Sequence, residues 1–188
     1  MKAKLLINFS LALAMILCVN QTQAQLTLPR TSPQASVSQT VGISDSTINY
    51  SRPSANDRVI WGKLVPYELN YLGFGTSQEA PWRAGADENT TITFTHDVMF
   101  GGGRIKAGTY GLHMIIHESD EATVILSNNS TSWGSYFYDP AEDAARVKVK
   151  TKTIPHVEML TYAFPKVTKT SATAVLKWGT KAIPFTLD

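Results

Sequence analysis

Aromatic side chains set beside charged ones are the feature of this sequence with the most chemistry to offer. Trp133, Tyr136 and Tyr138 fall within residues 131–139, which read as a connection between strands; Trp82 precedes Arg83, Asp87 and Glu88 in another such stretch. Flat rings flanked by Arg, Asp and Glu suit a sugar-binding wall: a ring face stacks on an apolar ligand face while polar groups fix its orientation. The same residues also suit a cap over the open end of a small β-domain, with the guanidinium stacked on an indole. Both readings stand on sequence alone. The candidate ligand-binding residues are therefore Trp82, Arg83, Asp87, Glu88, Trp133, Tyr136 and Tyr138.

Other chemistries find less support. His113 and His117 are four residues apart, which on a strand separates them by about 13 Å at roughly 3.3 Å per residue. One zinc ion, with bonds of about 2 Å, cannot span that without a bend. His96 and His156 have no ligand-like spacing, so the histidines read as surface or rim groups, and no metal or other cofactor is expected. There is no G-x-S-x-G elbow, although a Ser-His-Asp triad is defined by geometry rather than by sequence. The adjacent carboxylates Asp87-Glu88 and Glu142-Asp143 point to opposite faces if they lie on strands, so neither makes a glycosidase acid–base pair by itself. Asp87 or Glu88 is expected to cap a turn or to pair with Arg83. The run Gly101-Gly102-Gly103-Arg104 lacks a following helix and reads as a hairpin turn rather than a phosphate cradle. Arg146, Lys148, Lys150 and Lys152 put cations along one strand face, the usual protection of a sheet edge against edge-to-edge pairing.

These residues must be held by elements, and composition bounds what those are. The 188 residues carry 17 Lys+Arg against 15 Asp+Glu, a balance that argues against a nucleic-acid binder driven by bulk charge. At 17% charged residues the chain falls below the roughly 25% of soluble domains. Its first residues read as an address: a basic start at Lys2 and Lys4, an apolar run of about fifteen residues, and small residues at Thr22 and Ala24. Residues 1–24 are thus expected to be a secretory signal peptide, cleaved before Gln25. The run is short for a transmembrane helix, which takes about twenty apolar residues, and no second candidate span follows. Leu17 before Cys18 argues against a lipidated cysteine. Cleavage removes Lys2, Lys4 and the single Cys, leaving an exported chain of zero formal charge.

Residues 25–36, rich in Thr, Ser, Pro and Gln, read as a flexible lead-in, and the domain is expected from 37 to 188. From Val37 onward the apolar period is two. Ile48 with Tyr50, Ile92 with Phe94, Tyr110 to Ile116, Val124 with Leu126, Val147 with Val149, and Ala172 to Trp178 all alternate with polar residues or form one face of a strand. A turn is expected at Asp45-Ser46 and another at residues 179–181. Residues 139–145 allow one or two helical turns after an Asp cap. The whole predicts an all-β fold, a single antiparallel β-sandwich of roughly nine strands. Between Ser51 and Asn89 the alternation fails and Gly, Pro and aromatics crowd in, with two of the four Trp. That stretch is expected to be one long elaborated loop region packed over one end or face of the sandwich.

The run Trp82, Arg83, Gly85, Ala86, Asp87, Glu88, Thr90, Ile92 and Phe94 resembles the W-R-x-G-A-N-E-x-T-x-I-x-F signature of the DUF2911 family. Tyr50-Ser51-Arg52-Pro53, the run Ala107 to Leu112, and Trp133-Gly134-Ser135-Tyr136 match further family motifs in the same order. The likeness spans about residues 30 to 187; Asp87 stands where Asn is usual, and residues 68–80 look like an insertion. The resemblance implies an exported protein of a family found mainly in Bacteroidota and of unknown function. It carries no catalytic residue over. The function expected is an exported, non-enzymatic binding or envelope-associated module for a glycan or small molecule, without nucleic acid as partner. The alternatives are a hydrolase of envelope glycans, using Asp87, Glu88 or a His, and a structural partner in an envelope assembly.

Overall fold

The computed structural model describes residues 28–188 apart from 74, 77 and 78. The expected signal peptide and Cys18 lie outside the described residues. Strand β1 (Gln34–Val41) begins three residues before the alternation predicted, and β2 (Ser44–Ser51) returns antiparallel to it. The turn between them is at Gly42 and Ile43, not at Asp45-Ser46: Gly42 takes φ +61°, and Ser46 is buried within β2. Then come β3 (Thr91–Phe94), β4 (Val98–Phe100), β5 (Gly103–Ile105), β6 (Gly108–Ile116) and β7 (Glu121–Ser127). A single 3₁₀ turn, Pro140–Glu142, capped by the Asp139 carboxylate, leads into β8 (Asp143–Lys150). The last two strands, β9 (Lys152–Val167) and β10 (Ala172–Leu187), have sixteen residues each.

The strands form an antiparallel β-sandwich, as expected. One layer is a six-stranded sheet in the order β1-β2-β3-β6-β7-β8. The other is the β9–β10 hairpin, to whose end the β4–β5 ribbon is tied by paired backbone hydrogen bonds between Met99 and Asp188. The inward faces meet in one core, where Ile48, Ile92, Leu112 and Val124 of the large sheet pack with Leu160, Leu176, Trp178 and Phe185 of the hairpin. Alternation in sequence predicts these faces because successive side chains on a strand point to opposite sides. Strand β8, with Arg146, Lys148 and Lys150, is an edge strand, whereas Lys152 begins β9 in the other layer; the Gly-rich run turns the β4–β5 hairpin.

Residues 179–181 do not turn the chain. Strand β10 runs through them as one element, with register shifts at Lys177/Gly179 and Gly179/Lys181. Gly179 takes φ +53°, a conformation open to glycine, so Gly-Thr-Lys chemistry that would also make a hairpin here bends a bulged strand.

The long loop region has a structural cause. Strand β6 has nine residues but its neighbour β3 has four, so part of the β6 edge would lie unpaired. The loop fills it: Trp82 and Met114 exchange backbone hydrogen bonds of 2.8 Å, and Glu68 N–H donates to Ile116 O at 2.8 Å. Ser54 bridges to Met159 of the hairpin, so the same loop touches both layers. On the outer side of the large sheet it closes a second small core of Ala80, Ile115, Ile125 and Tyr138. Among the described residues no helix is long and apolar enough to cross a membrane.

Candidate functional site

Where the loop crosses from the β6 edge to the hairpin it leaves a cleft of about 500 Å³. Trp82 and Trp178 line it, their indoles stacked with centroids 6.1 Å apart and planes 20° from parallel. Trp61 meets both rings edge-on, at 5.9 and 6.1 Å. Trp178 is 1% exposed and donates its Nε1–H to Glu158 O at 3.1 Å, while Trp82 donates to Gly85 O at 3.1 Å. With both polar atoms satisfied inside the protein, half-buried Trp82 is the ring of the pair with surface to offer, and Trp178 backs it from the core. At the rim stands Trp133, 53% exposed, near Tyr136.

Arg83 lies half-buried on the wall between these groups. Its Nη1 donates to Asp87 O, and the guanidinium sits 5.1 Å from the centre of the Tyr136 ring. Gly134 makes room for it: at φ +58°, a Cβ there would come within 2.6 Å of the guanidinium carbon. Replacing Gly134 with Ala is therefore expected to lower stability by about 1 kcal/mol through the left-handed backbone alone, and to push Arg83 off Tyr136. Urea unfolding would measure the first effect. An unchanged midpoint would mean that the turn relaxes to another conformation.

The acids do not pair with Arg83 as expected. Arg30 takes both: its guanidinium reaches Glu88 at 2.6 and 2.7 Å and Asp87 at 3.1 Å. Ser51 Oγ also donates to Glu88, and the Arg30 bonds are the main cause that brings the Glu88 pKa down to about 2. Glu88 is thus ionised at neutral pH and cannot serve as a general acid. Asp87 sits at φ +57°, which explains why Asp can stand where the resemblance expects Asn: both short polar side chains tolerate that region. The lead-in is likewise part of the site. Arg30 holds it to the loop, Arg52 N–H donates to Pro33 O at 2.9 Å, and Thr31 and Ser32 line the cleft.

Of the seven candidate residues, Trp82, Arg83, Asp87, Trp133 and Tyr136 line the cleft. Glu88 lines a separate hollow with Gln34, Ser51 and Asn89. Tyr138 is outside the cleft: it is 6% exposed, packed in the second core, with its hydroxyl donating to Asp143 and accepting from Arg146 Nη2 at 2.7 Å. Burial and the Asp143 carboxylate raise its pKa. Tyr138 is a packing group because it is on the side of its turn that faces the sheet, a distinction that spacing does not carry. Sequence reasoning missed Arg58, Trp178 and the lead-in as lining residues. The Ser51-Arg52-Pro53 motif was the available signal, since Pro53 and Ser54 line the same cleft.

The histidines divide. His113 is 2% exposed, not a rim group, with Nδ1 3.0 Å from Ser135 Oγ. Burial first, then the nearby Arg83 charge, lowers its pKa to about 4. His117 contacts Glu68 at 2.8 Å and Thr123 at 2.9 Å. Among the described residues no three His, Cys, Asp or Glu side chains gather as a metal site would require.

Fold and site together define a β-sandwich protein with an aromatic-lined cleft between the long loop region and the hairpin. The chain belongs to the DUF2911 family, a protein family of unknown function, whose sequence model matches residues 32–187. No curated protein and no solved structure matches it.

Proposed function

We propose that this protein is an exported, non-enzymatic binding module that holds a glycan or a small molecule in the cleft. The observation that carries this reading is convergence. Trp82 and Arg83 from the loop, Trp133 and Tyr136 from the β7–β8 connection, and Trp178 from β10 are far apart in sequence and line one cleft of about 500 Å³. That volume falls within the usual range for small-molecule sites, which are mostly apolar with a few placed polar groups. Export rests on the amino-terminal pattern of basic start, apolar run and small residues, and on the family resemblance to exported Bacteroidota proteins.

The test is a thermal-shift screen against glycans, peptidoglycan fragments, lipids and metals. A ligand at a hundred times its dissociation constant stabilises by about 2.7 kcal/mol, or roughly 5–10 °C for a domain of this size. The shift is expected to disappear in Trp133→Ala while the unliganded melting temperature moves by less than about 2 °C, because this ring is at the rim. A variant that melts early instead makes Trp133 a cap. A flat screen turns attention to a protein partner in an envelope assembly, sought by pull-down. The hydrolase reading has one contact in its favour, Ser135 to His113, but the ring is a weak base, with its pKa near 4. Turnover of any glycan that shifts the melting temperature would revive it.

A further inference from the structure

We propose that the ligand of this cleft carries an oxyanion on a ring-shaped body, and that Arg83 receives it. The inference rests on the ligand-binding reading above and names the chemistry of what is bound. It comes from how the charges of the cleft are partnered. Four charged residues line it: Arg58, Glu68, Arg83 and Asp87. Asp87 is paired with Arg30 at 3.1 Å, and Glu68 is hydrogen-bonded to the His117 ring at 2.8 Å. Neither arginine has a carboxylate within ion-pair distance among the described residues. Arg58 gives Nε and Nη2 to the carbonyl oxygens of Ala55 and Ser54, and Arg83 gives Nη1 to Asp87 O.

The arrangement around Arg83 is that of a receptor. Sequence proximity would pair it with Asp87 or Glu88, and Arg30 draws both carboxylates away. What remains is a half-buried cation fixed from three sides: a backbone carbonyl, the face of Tyr136, and the bare α-carbon of Gly134. A guanidinium has five N–H donors in a planar fork that matches a carboxylate or phosphate edge. The Nε and Nη2 donors of Arg83 have no protein acceptor among the described residues. A half-buried cation with no carboxylate partner among the described residues is one that an anionic ligand can pair. Because the fork is already held in place, little side-chain entropy is lost on binding. The charge is felt within the wall, where it adds to burial in disfavouring protonation of His113. Half-buried Trp82 and rim Trp133 supply the surface for the ring, with Trp178 buried behind Trp82 as its support.

Matched sugars test this, because one ring can carry three different groups at the same carbon. Glucose, galactose and mannose are titrated calorimetrically beside their uronic acids and their 6-phosphates, at low and at moderate salt. The charged members are expected to bind about tenfold or more tightly than the neutral parent, and to weaken as salt rises. Tighter uronates make the anion a carboxylate; tighter phosphates make it a phosphoester. Arg83→Gln is expected to lose about 10- to 100-fold for the charged sugars and little for the neutral ones, with Arg83→Lys regaining part of the loss. Should Arg83→Gln fail to fold, the wild-type comparison of charged and neutral rings still decides. Equal binding of neutral and charged sugars overturns this inference and leaves the binding module standing. No binding by any member overturns this inference, and the wider thermal-shift screen then decides the binding module.

Discussion

Trp178→Ala is expected to destabilise the protein by about 3–5 kcal/mol, the range for emptying a large buried aromatic site. The ring is 1% exposed, stacks on Trp82, meets Trp61 edge-on and hydrogen-bonds Glu158 O. Its removal opens a void where the hairpin meets the loop region and leaves the Glu158 carbonyl without that donor. For a domain of this size the melting temperature should fall by roughly 6–20 °C. Trp178→Phe should recover most of the packing but not the hydrogen bond, and should fall between the two. Equilibrium urea unfolding gives the number directly. A loss under about 1 kcal/mol would mean that the cleft floor is supported by the loop alone. The contrast with Trp133→Ala is the informative part: one tryptophan is foundation and the other is rim.

Stability should also fall steeply in mild acid, with His113 as the cause. The native protein keeps this ring neutral down to a pKa of about 4, whereas the unfolded chain takes up a proton near the ordinary value of 6.5. Between those values the unfolded state binds more protons, so stability drops as pH falls from 6.5 to 4. The full difference is about 3 kcal/mol. The effect fades above pH 6.5, as the unfolded ring also loses its proton. Carboxylates held low by their partners, Glu88 by Arg30 above all, begin to act about a unit above their unfolded values near 4.5, so the upper part of the window isolates the histidine. Unfolding free energies at pH 7.5, 6, 5 and 4.5 should trace this curve. His113→Gln, which keeps a side-chain amide near Ser135, should flatten it. A wild-type curve already flat between pH 6.5 and 4.5 would show that the ring is protonated, or equally solvated, in both states.

The candidate site was legible as residue types but not as a place. Trp82-Arg83 and the run Trp133 to Tyr136 announce themselves because large aromatics and an arginine in connections are unusual and chemically rich. Which of them share a cleft depends on β3 being shorter than β6, so that Trp82 can pair with Met114 and bring its ring beside Trp178. No local spacing encodes that juxtaposition. Tyr138 and Tyr136 are two residues apart, yet one is buried in the second core and the other lies along the cleft. The partner of Asp87 and Glu88 was equally hidden: Arg83 is near in sequence, but Arg30 is near in space.

By itself the sequence determined the all-β class, the inward faces of most strands, the disordered alternation of the long loop, the hairpin at Gly101–103 and the family. Those features are local, resting on the two-residue period of a strand, on turn chemistry and on motif order. It could not tell the bulge at Gly179 from a turn, because glycine with a positive φ serves both. Nor could it reveal the cleft, the Arg30 clamp or the buried His113. Those arise where chain segments tens of residues apart meet to satisfy a strand edge and fill a core, and only the tertiary structure decides which side chains that brings face to face.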